Sequence, residues 1–124
     1  MSGLSRDLTP VRQWRTMRTM IIVETSVFTK QVTRLLDEEE YRLLQAILVN
    51  RPDAGDIIPG SGGLRKIRWG VGERGKRGGV RVIYYWAVQQ EKLVMLLLYP
   101  KNERDDLTKD QLKILRRIIE EEYP

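Results

Sequence analysis

Along the chain the apolar positions change period twice, from helical spacing before residue 50 to alternation between 64 and 99, then back to helical spacing after 107. Met20 to Val23 is a short, largely β-branched run suited to a first strand. Val27, Val32, Leu35 and Leu36 then recur at roughly helical spacing and predict a short helix. Asp37 and Glu40 have capping-box spacing and Leu36 and Tyr41 can staple across them, so a second helix should begin just after Asp37 and run to about Asn50. Its apolar residues Tyr41, Leu44, Ile47 and Leu48 form one stripe, the pattern of a helix laid against a sheet. Pro52, Gly55, Pro59, Gly60, Gly62 and Gly63 exclude helix from residues 51–63 and predict a loop from the helical layer into the sheet.

Residues 64–69 read as a strand. Alternation puts Leu64, Lys66 and Arg68 on one face and Arg65, Ile67 and Trp69 on the other. Residues 80–88 and 93–99 are apolar, aromatic and β-branched, and the polar QQEK between them predicts an antiparallel hairpin at the sheet's centre. On its first strand Arg81, Ile83 and Tyr85 share a face opposite Val80, Val82, Tyr84 and Trp86; at the strand's entry Arg81 can reach solvent or a phosphate. Thr108 and Gln111, stapled by Leu107 and Leu112, start a last helix that continues through Leu115, Ile118 and Ile119. The order β-α-α-β-β-β-α gives an α+β fold, a small, largely antiparallel sheet packed by helices. Residues 20–124 form its single domain, with Met20 a candidate start. Residues 1–19, polar and basic with Pro10, read as a mobile extension.

Composition narrows the chemistry. The 124 residues include no cysteine and no histidine, which removes disulfides, thiolate nucleophiles, zinc sites of the usual kind and the commonest acid/base at neutral pH. No apolar run reaches the roughly 18–20 residues needed to span a bilayer, and no apolar core near the start suggests a signal peptide, so a cytoplasmic protein is expected. Charge is concentrated. Residues 64–81 hold Arg65, Lys66, Arg68, Arg74, Lys76, Arg77 and Arg81 against Glu73 alone, a net +6 in a chain whose total is +5. Such a focused field either meets a polyanion or is a solvated face. Gly70, Gly72 and Gly75 mimic a dinucleotide fingerprint, and Gly75–Lys76 mimics a phosphate loop. Arg77 stands where Ser or Thr is required, however, and a strand follows where both motifs need a helix.

Three segments in order, GGLRKIRW, GKRGGVRVIYYW and LLLYPKNERDDLT with its closing helix, resemble the RelE/HigB-like toxins of type II toxin–antitoxin pairs. The resemblance covers residues 20–123. It implies a RelE-like fold and a ribosome-dependent, metal-independent endoribonuclease that cleaves messenger RNA, needs no cofactor and is restrained by a cognate antitoxin. That antitoxin would be a helix-turn-helix, HigA-like protein, and DNA would be met only through the complex with it. The chemistry implied uses a 2′-hydroxyl as nucleophile, a base to deprotonate it, cations to stabilise the charged transition state and an acid for the leaving oxygen.

By position, Lys66 and Arg68 correspond to the family's paired basic residues and Arg81 to its strand-entry arginine. Arg81 is expected on the scissile phosphate, because a guanidinium can bond two of its oxygens. A lysine, Lys66 or Lys101, is a candidate base or acid. Where the family has an arginine after its strand-end lysine this chain has Asn102, and where the family has a later tyrosine it has Leu107 and Thr108. Tyr99 is therefore either the replacement or a strand-end aromatic capping the core, and Glu103 either accepts a proton or orients Lys101. Arg65, Arg74, Lys76, Arg77, Tyr85 and Asn102 are candidate RNA contacts. Tyr85 shares Arg81's face and could stack on a base, whereas alternation assigns Trp69 and Trp86 to the core. The competing function is a non-catalytic module bound to RNA or the ribosome.

Overall fold

The first strand forms at Ile21–Glu24 (β1), in a computed structural model that describes residues 20–70, 79–101 and 106–124. Thr25 ends it and caps α1 (Ser26–Leu35), its hydroxyl accepting from the Phe28 amide at 3.0 Å. Phe28 and Val32, four residues apart, make the buried stripe of this helix, while Val27 falls on the exposed side. The second helix, α2 (Glu38–Asn50), starts where its capping box predicts. Asp37 Oδ1 accepts from the Glu40 amide at 2.7 Å, and Glu40 Oε1 accepts from the Asp37 amide at 2.9 Å. Leu44 and Leu48 are buried, and Ile47 lies at the exposed edge of the stripe.

The loop at 51–63 contains a strand that periodicity could not show, because two residues carry no period. This β2 (Asp56–Ile57) pairs antiparallel with β3 (Arg65–Trp69), so the element order gains one strand. Two side chains hold the loop in place before it. The Tyr84 hydroxyl donates to the Pro52 carbonyl at 2.7 Å and accepts from the Gly55 amide at 2.8 Å, and Arg65 Nη1 donates to the Gly55 carbonyl at 2.7 Å.

The hairpin strands are β4 (Val80–Ala87) and β5 (Lys92–Pro100), and α3 (Lys109–Glu122) closes the described chain. The sheet order is β1-β5-β4-β3-β2, with β1–β5 parallel and the other pairs antiparallel, so the hairpin lies inside the sheet as expected. One face packs Val82, Tyr84 and Met95 against α1 and α2; the other packs Ile83 and Leu96 against Leu115 and Ile119 of α3. Among the described residues no helix is long and apolar enough to cross a membrane.

A register shift changes which residues of β5 face which helix. Ile83 pairs with Leu97 but Tyr84 pairs with Met95, leaving Leu96 as an extra residue, a β-bulge. Before it, Leu93 and Met95 face α1 and α2; after it, Leu98 does so and Tyr99 faces the α3 side. The bulge is tied down by its neighbours: the Thr25 hydroxyl donates to the Leu96 carbonyl at 2.9 Å, and the Leu98 amide donates to Gln31 Oε1 at 2.8 Å.

Candidate nucleic-acid interface

Strand pairing alone assembles the cations. In the register of β3, β4 and β5, Arg68 is opposite Arg81 and Arg81 is opposite Tyr99, so these three side chains stand in one row on the α3 face. Lys66 lies on the same face, one step along, opposite Ile83. With strands about 4.8 Å apart, the backbone positions of Arg68 and Arg81 lie within the span of one phosphodiester and its neighbours. Gly79 closes the strand pair at this end. It has φ +60°, and a Cβ there would stand 2.2 Å from the Trp69 carbonyl oxygen, so only glycine lets β3 and β4 come together just before Arg81.

Exposure differs along the row. Arg68 is exposed and Lys66 half-buried, whereas Arg81 is only 2 % exposed. Of the two environments open to Arg81 from the sequence, solvent or a phosphate, the structure shows it withdrawn from solvent on the middle strand, flanked by Arg68 and Tyr99. Tyr99 is also buried and belongs to the apolar cluster under α3, so the capping role and the place beside Arg81 coincide in one residue.

Among the described residues an anion that no sequence pattern marks faces this row. Asp106, just before α3, takes a hydrogen bond and ion pair from Lys66 Nζ at 2.5 Å. Its carboxyl is held below the usual range first by that contact with Lys66, and further by the fields of Arg81 and Arg68. No local pattern marks it; an aspartate before a capped helix is ordinary, and only the fold brings it over β3.

The remaining candidates separate. Lys101 is exposed two residues past Tyr99, its amide donating to the Gly79 carbonyl at 3.2 Å, so it stands at the end of the same strands. Arg65 is on the opposite face of β3, bonded to the Gly55 and Asp53 carbonyls, where it clamps the 52–55 loop away from the row. Tyr85 shares Arg81's face but lies four residues along β4, its ring 6.4 Å from that of Tyr123 and partly buried under α3. Trp69 and Trp86 pack against the α1/α2 core, as alternation indicated. Arg74, Lys76, Arg77, Asn102 and Glu103 lie outside the described residues. Among the described residues no group of three or more His, Cys, Asp or Glu is placed to hold a metal ion.

Comparison with known proteins places this geometry in context. A family model described as the RelE toxin of the RelE/RelB toxin–antitoxin system matches residues 20–122. The chain is similar in structure to a double arginine-to-alanine mutant of the E. coli toxin RelE in the free state, with a TM-score of 0.54 and 10% identity over 82% of this chain and 97% of that one. It is similar also to the intact E. coli RelBE toxin–antitoxin complex, with a TM-score of 0.51 and 14% identity over 65% of this chain and 95% of that one. At such identities the likeness speaks for the fold.

Proposed function

Because the chain belongs to the RelE toxin family, it is the toxin of a toxin–antitoxin pair, and we propose that it is a ribosome-dependent endoribonuclease that cleaves messenger RNA without a metal and so blocks translation. The row of Lys66, Arg68 and Arg81 with Tyr99 carries this reading. In the reaction the 2′-oxygen forms a bond to the adjacent phosphorus and the bond from phosphorus to the 5′-oxygen breaks. The 2′-hydroxyl proton passes to a base and an acid supplies one to the leaving oxygen. Negative charge grows on the non-bridging oxygens, and preorganised cations stabilise it most where water is excluded.

Arg68 and Lys66 grip the phosphate, and Arg81 supplies positive charge from the buried middle strand. Lys66, paired with a carboxylate, is an ammonium suited to stabilising charge and protonating the leaving oxygen. Tyr99 or Lys101 takes the nucleophile's proton. Asp106 is a poor base because Lys66 holds its carboxyl below the usual range. The partners in this reading are the ribosome with its message and a cognate antitoxin of helix-turn-helix, HigA-like type, which alone brings the complex to DNA.

The test is expression in a bacterial host, followed by mapping of message ends on purified ribosomes with and without chelator. Growth arrest and chelator-resistant cuts should appear for the native chain and disappear for Lys66→Ala and Arg81→Ala. Intact message with a steep loss of RNA affinity in salt would favour a non-catalytic binding module instead.

A further inference from the structure

A cavity of about 390 Å³ opens beside the cation row, and of its lining the cleavage chemistry uses Lys66 but none of the apolar wall. Its apolar wall includes Ile57, Ile83 and Leu107, and its polar groups are Asp56, Lys66 and Asp106. The volume lies within the roughly 300–1,000 Å³ of small-molecule pockets. Lys66 belongs to both the cavity and the row. The Lys66–Ile83 pair is two residues along the strands from Arg68–Arg81, about 6.6 Å by strand rise, which is on the order of the reach from a phosphate to the base of its own nucleotide. A phosphate held by Arg68 and Lys66 therefore delivers a neighbouring base to the cavity mouth.

We propose that this cavity seats the nucleobase adjoining the scissile phosphate, and that Asp56 and Asp106 select bases bearing an exocyclic amino group over uracil. The inference rests on the reading of the row as an RNA-cutting site. Unpaired RNA is recognised by splaying a base from its stack, burying its faces and bonding its edge. The aliphatic walls serve the faces. An ionised carboxylate only accepts hydrogen bonds. Adenine, cytosine and guanine each offer an amino group to it, whereas uracil presents a single N–H between two carbonyl oxygens that repel the carboxylate. The register sets Asp56 opposite Lys66, on the edge strand, and Asp106 is paired with the ammonium of that lysine. Phosphate and Asp106 compete for the same ammonium, so seating the phosphate releases carboxylate lone pairs to the base.

The experiment is a titration of the full chain with the four nucleoside 3′-monophosphates and with inorganic phosphate, following the methyl resonances of Ile57, Ile83 and Leu107. These methyls should move with the adenosine, cytidine and guanosine nucleotides. The uridine nucleotide should bind at least about tenfold more weakly, the size of one hydrogen bond to a charged group. Inorganic phosphate should perturb Arg68 and Lys66 and leave the methyls in place. In the Asp56→Asn and Asp106→Asn variants, whose amides can also donate, discrimination against uridine should fall. Methyls that ignore all four nucleotides, that respond equally to uridine, or that respond only to an antitoxin peptide overturn the proposal. Because the titration needs no cleavage, ribosomal message cut by a protein with a silent cavity sinks this inference alone. A responsive cavity with uncut message sinks the nuclease reading alone.

Discussion

At Lys66 the side-chain nitrogen and the Asp106 carboxylate sit 2.5 Å apart, and the contact favours the ionised form of the carboxyl. The folded carboxyl titrates below its unfolded value, so the pair contributes at pH above the ordinary aspartate range. That contribution is lost as pH falls through the lowered folded value. A carboxyl-detected NMR titration should find Asp106 ionising below a free aspartate, and Lys66→Ala should bring its midpoint back up; no movement in that variant would contradict the pairing. Arg65 and Tyr84, opposite each other on β3 and β4, form a different kind of site, in which both hold the 52–55 loop. Tyr84→Phe leaves the Gly55 amide and Pro52 carbonyl without that partner and should lower unfolding stability by about 1–3 kcal/mol, read as a urea midpoint shift. Arg65→Ala should likewise destabilise while leaving the salt dependence of RNA binding as it was; a reduced dependence would return Arg65 to the RNA contacts.

Among the elements, β5 decides the site. A strand that alternated without interruption would carry Tyr99 on the same face as Leu93 and Met95, among α1 and α2. The extra residue Leu96 turns it to Arg81 instead. Thr25 couples this bulge to the start of α1, since one hydroxyl both caps the helix and bonds the Leu96 carbonyl. Thr25→Val should therefore cost about 1–3 kcal/mol, at or above the loss of an ordinary helix cap, and should weaken cleavage more than the stability loss alone predicts. A matched destabilising change in α2, away from the bulge, supplies the comparison. At the other end of the row Gly79→Ala meets both a positive φ and a backbone oxygen, so it should destabilise by at least about 1–3 kcal/mol and shift the amide signals of Arg68 and Arg81. Unshifted signals would show that β3 and β4 do not depend on that close approach.

For the molecule as a whole, the positive stretch is divided by the sheet. Lys66, Arg68 and Arg81 face α3, while Arg65 faces α1 and α2. Binding to single-stranded RNA should thus lose about 1.4 from its logarithmic salt slope in a Lys66→Ala, Arg68→Ala double variant, about 0.7 for each phosphate contact removed. An unchanged slope would place the phosphate elsewhere.

What was legible from the residues was local. Capping boxes at Asp37 and Thr108 marked the starts of α2 and α3 because the motif is complete within four residues. Alternation paired Lys66 with Arg68 on one face of β3 because pleating needs no partner strand, and segment order was enough to indicate the family. The two-residue β2 was not legible, since its existence depends on β3 lying alongside. Nor was the burial of Arg81, which follows from its place on the middle of three strands, or the approach of Asp106 to Lys66 across 40 residues of chain. Tyr99 shows the division most clearly: that a tyrosine ends the last strand is readable from the residues, but a bulge three residues earlier, bonded by Thr25 from far along the chain, sets which face it serves.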